Sequence, residues 1–328
     1  MKTTYLNASI FSLVLILVVS CGNSRPSEKK TNTSIEKKEI FIPLFNADSA
    51  YFFVAQQLSF GSRVPESVAH ANCLSYLETR LYQFGATVQI QKFKTRLANG
   101  KIIEGKNIIA SYQPEKKNRI LLCAHWDSRP NADQDTNPAN HTKPLLGAND
   151  GASGVGVLLE IARHLGQNNT SAGIDIVLFD VEDSGSYGNN DSWALGSQYW
   201  AKNPHQINYT ARFGILLDMV GATDPIFAKE STSMRYAPGI MDMVWKKAAK
   251  LGYADYFKSH TGGSILDDHV AINEYLNIPT IDIIDYDDSS STGFFEYWHT
   301  TGDDLSTIDP ISLGVVGRTV MTVIFEEL

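Results

Sequence analysis

Seven residues of this chain have side chains suited to holding a divalent ion and moving protons: His125, Asp127, Asp150, Glu182, Asp183, Asp218 and His299. Five of them follow short apolar runs. His125 and Asp127 come after Ile120-Leu121-Leu122-Cys123-Ala124, Glu182 and Asp183 after the run ending at Phe179, and Asp218 after Phe213 to Leu217. Asp150 lies in the glycine-flanked loop Gly147-Ala148-Asn149-Asp150-Gly151, and His299 closes the aromatic stretch Phe294-Phe295-Glu296-Tyr297-Trp298. Taken singly, each has an ordinary explanation: Asp150 as a helix N-cap, Asp218 as a strand-end turn former, His299 as a core histidine with its hydrogen bond satisfied. Three strand ends and two loops delivering carboxylate and imidazole to one sheet edge point instead to a metal. Carboxylate oxygen and imidazole nitrogen bind zinc at ~2.0–2.2 Å, and a catalytic site keeps one position open for substrate.

A sheet has to bring those positions together. Apolar spacing predicts two opening helices, Asp48 to Phe60 and Val68 to Phe84, the second stopped by Gly85. Val88 to Phe93 and Ile102 to Ser111 read as a strand pair around Ala98-Asn99-Gly100. Strands Arg119 to Ala124, Asp175 to Phe179, Phe213 to Leu217 and Thr280 to Ile284 then alternate with helices Gly154 to Leu165, Trp193 to Ala201, Ile240 to Leu251, His269 to Glu274 and Pro310 to Glu327. Continuous apolar strands alternating with helices imply a three-layer α/β/α fold with a central, mostly parallel mixed sheet. Ligands of such sheets bind outside the carboxyl ends of the strands.

At 328 residues with 43% hydrophobic content, the chain can bury a large core. Its 28 basic against 36 acidic residues leave no positive footprint for nucleic acid. Lys2, the apolar run Ile10 to Val19 and the small-residue junction Ser20-Cys21-Gly22 read as a leader too short to span a bilayer comfortably. Leu17-Val18-Val19-Ser20-Cys21 resembles the lipobox of bacterial lipoproteins, which implies acylation of Cys21 and a lipid-anchored, exported protein on the periplasmic side of a cell envelope. Residues 21–39 are polar enough to serve as a tether. Residues 40–328, about 290 of them, are expected to form one catalytic domain. Cys73 and Cys123 both fall in patterns that bury free thiols. The acidic run Asp285 to Ser291 lacks the glycine and terminal glutamate of a calcium loop, so it reads as a solvated loop near the site.

Six ordered motifs, His125-Trp126-Asp127, Gly147-Ala148-Asn149-Asp150, Glu182-Asp183, Leu217-Asp218-Met219, Asp268-His269 and Trp298-His299-Thr300, resemble the zinc aminopeptidases of the M28 type and their relatives, the glutaminyl-peptide cyclotransferases. The resemblance spans residues 45–328. Within that group the chain is more similar to the cyclotransferases, through Trp193, the paired acids Asp267-Asp268, Phe294 and Trp298, and the stretch Phe60 to Pro65.

That resemblance implies one Zn2+ per chain held by Asp150, Asp183 and His299, with Glu182 transferring protons and Asp218 and Asp268 forming an acidic network beside it. Trp193, Phe294 and Trp298 would wall the substrate, while His125, Asp127, Asp267 and His269 would supply a second metal or support the first. The implied reaction is closure of N-terminal glutamine of a peptide to pyroglutamate with loss of ammonia. Asp183 stands where many relatives carry glutamate, which shortens that arm. Two other readings stay open: a dinuclear aminopeptidase using His125, Asp150, Asp183, Asp218 and His299, and a non-catalytic peptide-binding lipoprotein. A monomer is the expectation for oligomeric state.

Overall fold

The computed structural model describes residues 41–326, so the expected leader, the lipid site at Cys21 and the tether lie outside the described residues. Strands β1 (Thr87–Arg96) and β2 (Ile102–Tyr112) form an antiparallel hairpin. β2 pairs antiparallel with β4 (Gly173–Phe179), which continues through β3 (Arg119–His125), β5 (Gly214–Asp218) and β8 (Thr280–Ile284) as four parallel strands. The spatial order is β1-β2-β4-β3-β5-β8. Because the chain passes from β3 to β4 on one side and returns to β5 on the other, the switch point of the sheet lies at β3, which is where ligands of open sheets gather.

Every residue of β3, β4, β5 and β8 is buried. The pleat divides them between two cores. Ile120, Leu122, Ile176, Leu217 and Ile283 point into the layer formed with α1 (Ala47–Leu58), α2 (Val68–Gln83), α3 (Ala152–Leu165), α6 (Pro238–Lys250) and α8 (Pro310–Glu326). Leu121, Cys123, Val177, Phe179 and Leu216 pack on the opposite face against Trp200 of α4 (Leu195–Lys202) and Ala271 of α7 (Asp268–Ala271). Burial on both sides explains the uninterrupted apolar runs, each such side chain contributing roughly 1.5–3 kcal/mol. Gly154 lets α3 lie directly on the sheet, since a Cβ there would stand 2.1 Å from the Leu217 carbonyl oxygen.

Several boundaries differ from expectation for visible reasons. α4 begins at Leu195 rather than Trp193, because Ala194 takes a left-handed conformation (φ 52°) and leaves Trp193 extended. The expected helix from His269 is a short α7 running into a π-helical turn over Ile272–Leu276. A separate two-stranded sheet, β6 (Phe227–Lys229) with β7 (Phe257–Thr261), and helix α5 (Ser231–Tyr236) were not expected, their segments being too short to show periodicity. Cys73 and Cys123 are buried free thiols in opposite cores. No helix among the described residues is long and apolar enough to cross a membrane.

Candidate active site

β3, β4 and β5 end side by side, and the residues following them converge on a cleft of about 340 Å³. β4 stops at Phe179, and the chain turns at Val181 with φ 60°, a conformation a β-branched residue adopts only under constraint. The turn that brings Glu182 and Asp183 to one site therefore precedes the pair. Asp127 holds it in place: its carboxylate accepts hydrogen bonds from the Glu182 and Asp183 backbone nitrogens at 3.1 and 3.3 Å.

Asp150 is delivered by the loop entering α3. The Asp303 carboxylate accepts from the backbone nitrogens of Asn149 (2.7 Å) and Asp150 (3.2 Å), which fixes the loop from the C-terminal part of the chain. Only glycine fits at 151, since a Cβ would stand 2.3 Å from His125 Nε2. The His299 ring enters from the other side, its Nδ1 2.7 Å from the Tyr187 hydroxyl.

The result is two buried triads sharing one carboxylate. In the first, His299 Nε2 lies 3.6 Å from Asp150 Oδ2 and 3.2 Å from Asp183 Oδ1. In the second, His125 Nε2 lies 3.0 Å from Asp150 Oδ1 and 3.2 Å from Asp218 Oδ1. A tetrahedral zinc with bonds of ~2.0–2.1 Å has ligand atoms about 3.3 Å apart. The His299 distances of the first triad and the His125 distances of the second are both close to that spacing, and Asp183 Oδ2 is buried without a hydrogen-bond partner. The residues present therefore fit a divalent ion, the shorter Asp183 arm included.

Electrostatics agree. Glu182 keeps part of its surface open to the cleft, yet the protein encloses it closely enough that desolvation, aided by Asp267, Asp183 and Asp268, pushes its carboxyl well above the usual range. Burial, then the neighbouring acids, likewise raises Asp218, and burial followed by Asp218 raises Asp267 to about 6. Burial opposes charge on His125, but hydrogen bonds to Asp127, Asp150 and Asp218 prevail and hold its pKa well above normal. Acids that retain protons at one another's expense are the environment a cation discharges.

Of the expected site residues, Asp150, Glu182, Asp183, Asp218, Trp193, Phe294, Trp298 and His299 all line the cleft. The paired acids are a correction: Asp267 lines the cleft, while Asp268 is fully buried behind it beside Ser197. His269 does not reach the cleft either; its Nε2 faces Glu230 Oε2 at 3.2 Å. His125 and Asp127 stand beneath the carboxylates. The three aromatic residues are half-buried and face the cavity, and Trp193 and Trp298 stack on the His299 ring at 6.1 and 3.8 Å. Gly185 makes room for the Trp193 indole, which a Cβ would meet at 2.0 Å.

Sequence reasoning missed Arg129, Tyr187, Glu230, Asp282 and Asp303. Arg129 donates to Asp183, and Asp282 is a fully buried carboxyl grouped with Asp267 and His269. Neither residue carried a signal, because charge in a polar loop or a lone acid in Thr280-Ile281-Asp282-Ile283-Ile284 reads as ordinary.

The acidic loop is only partly solvated. Asp285 is buried and accepts from the Ile226 nitrogen at 2.8 Å. Burial raises its pKa from 3.8 to about 7, despite that bond. Its folded form thus binds the proton more tightly than the unfolded chain, a contribution to stability present at low pH and lost as pH rises through 7. Asp285→Asn should flatten the decline in unfolding free energy between about pH 4 and 7, measured by denaturant titration.

Carboxylates and imidazoles clustered at the carboxyl rim of a mixed α/β sheet, in positions that could hold a metal ion, define an enzyme with a zinc-exopeptidase-like fold. The chain belongs to peptidase family M28, whose model matches residues 107–324. It is similar to a solved glutaminyl cyclase of Porphyromonas gingivalis at 51% identity, covering 87% of this chain and 99% of that one with a TM-score of 0.86. A Zn-dependent exopeptidase from Parabacteroides distasonis is similar with the same identity, coverage and TM-score. Glutaminyl-peptide cyclotransferase of Drosophila melanogaster is 26% identical over 275 residues, 75% of this chain and 72% of that protein.

Proposed function

We propose that this chain binds one zinc ion through Asp150, Asp183 and His299 and converts N-terminal glutamine of peptides and proteins to pyroglutamate, releasing ammonia. One observation carries the reading. The Asp150–Asp183–His299 triad lies on a cleft that Glu182, Trp193, Ile265, Phe294 and Trp298 also line. The likeness to glutaminyl cyclases across nearly the whole of their length supports it.

The α-amine attacks the carbonyl carbon (Cδ) of its own side-chain amide, the new N–Cδ bond closes a five-membered lactam, and the old Cδ–N bond breaks to release ammonia. When bound, zinc supplies a Lewis acid for the carbonyl oxygen. Glu182 accepts the proton leaving the amine and returns it to the departing nitrogen, a task for one carboxylate within reach of both atoms. Asp218 and Asp267 line the same cleft and offer hydrogen bonds that hold the amine in a near-attack position. Trp193, Phe294 and Trp298 exclude the water that would otherwise hydrolyse the amide.

Incubating a glutamine-leading peptide with the enzyme tests the reading directly: the product should lose the mass of ammonia and keep every residue. Because only the neutral amine attacks and a free α-amine titrates at about 7.7–8.0, kcat/KM should rise with pH through that range. A flat or falling profile there rules out amine attack.

A dinuclear aminopeptidase is the second reading, favoured by the convergence of His125, Asp150 and Asp218 on the shared carboxylate. Two zinc ions per chain by elemental analysis, with release of free amino acids, would establish it. The lipobox at Cys21 supports anchoring on the periplasmic side of a cell envelope, for which incorporation of labelled palmitate into wild type but not Cys21→Ser is the test.

A further inference from the structure

The Asp183 arm is short, and something must hold it at the ion. Arg129, only 3% exposed, lies directly behind it. Its Nη1 donates to the Asp183 carbonyl oxygen at 3.1 Å and to Asp183 Oδ1 at 3.2 Å, which leaves Oδ2 free of hydrogen bonds. The rest of the guanidinium is gripped by Asp133 through two parallel bonds, Nε to Oδ1 at 2.9 Å and Nη2 to Oδ2 at 2.5 Å. The same plane lies 4.8 Å over the Trp193 ring and 5.4 Å over that of Tyr187.

Tyr187 carries the connection to the second arm. Its hydroxyl is 2.7 Å from His299 Nδ1, and Asp133 Oδ1 stands 3.6 Å from that nitrogen. With the Nε2 lone pair directed at an ion, neutral His299 bears its proton on Nδ1 and donates it to the tyrosine oxygen, which fixes tautomer and ring orientation.

We propose that Arg129, anchored by Asp133 and stacked on Tyr187, is the positioning residue that locks Asp183 and His299 into metal-binding geometry and seats Trp193 against the substrate. The proposal rests on the zinc reading above. Arginine is required because a planar fork can bond two carboxylates while stacking on two rings; lysine keeps the charge and loses the geometry.

The test is zinc retention by the purified full chain against graded dipicolinate, with folding checked by far-UV circular dichroism. In Arg129→Lys the chelator concentration that removes half the zinc should fall about 10–100-fold, the usual effect of losing an outer-shell partner. Tyr187→Phe should fall in the same direction, and Asp133→Asn less far. Indole emission of Arg129→Lys should also shift as Trp193 loses the guanidinium over its ring. If Arg129→Lys and Asp133→Asn fold and keep zinc at the wild-type chelator concentration, the proposal is overturned. Should the wild type itself take up no zinc, the metal reading fails first and takes this one with it.

Discussion

Glu182→Gln should cut kcat on the order of 10²–10⁴-fold while leaving zinc content and fold intact. Glutamine preserves the shape of the side chain and cannot accept the amine proton. Neither oxygen is asked to hold the turn, because the hydrogen bonds of Asp127 reach the backbone of residues 182 and 183 and not the carboxylate. Loss of kcat with little change in KM is the signature of an interaction made in the transition state. Should the variant turn over at the wild-type rate, Glu182 carries no proton and the mechanism above is wrong.

Asp150→Asn should abolish activity by a different route. Asp150 is the carboxylate common to both triads, so its replacement weakens zinc binding whether the site holds one ion or two. The loop itself should persist, since Asp303 binds the backbone nitrogens of Asn149 and Asp150 and not the side chain. Elemental analysis should find folded protein with its zinc affinity reduced by more than the ~10–100-fold typical of an outer-shell change. His125→Asn separates the two metal counts, as His125 is a member of the second triad and not of the first: an enzyme that needs one ion keeps its zinc, and a dinuclear one loses half.

Much of this was legible in the chain. Apolar runs buried on both faces announce β3, β4, β5 and β8, and the polar residue after each run announces the rim of the sheet, which is why His125, Asp183 and Asp218 could be placed together. What failed was detail that depends on a single residue of phase. Asp267 and Asp268 are neighbours, and the backbone at Asp267, which caps α7, decides which one faces the cleft. Arg129 gives no signal in the sequence because nothing local tells a buried arginine from an exposed one; its burial comes from Asp133, Asp183, Tyr187 and Trp193, which only tertiary structure assembles. β6 and β7 owe their pairing to chain geometry over segments too brief for a period to appear.

The bond between Asp303 and the Asn149–Asp150 backbone spans more than 150 positions of chain. During synthesis the carboxylates at 150 and 183 emerge long before the imidazole at 299 and the acid at 303, so the proposed metal site is completed only once the segment preceding α8 has appeared. Such distant pairings form late and slowly, and an unfinished nascent chain would lack His299 whatever the metal supply around it. On the zinc reading proposed above, early stop codons anywhere upstream of residue 299 should give products unable to retain zinc.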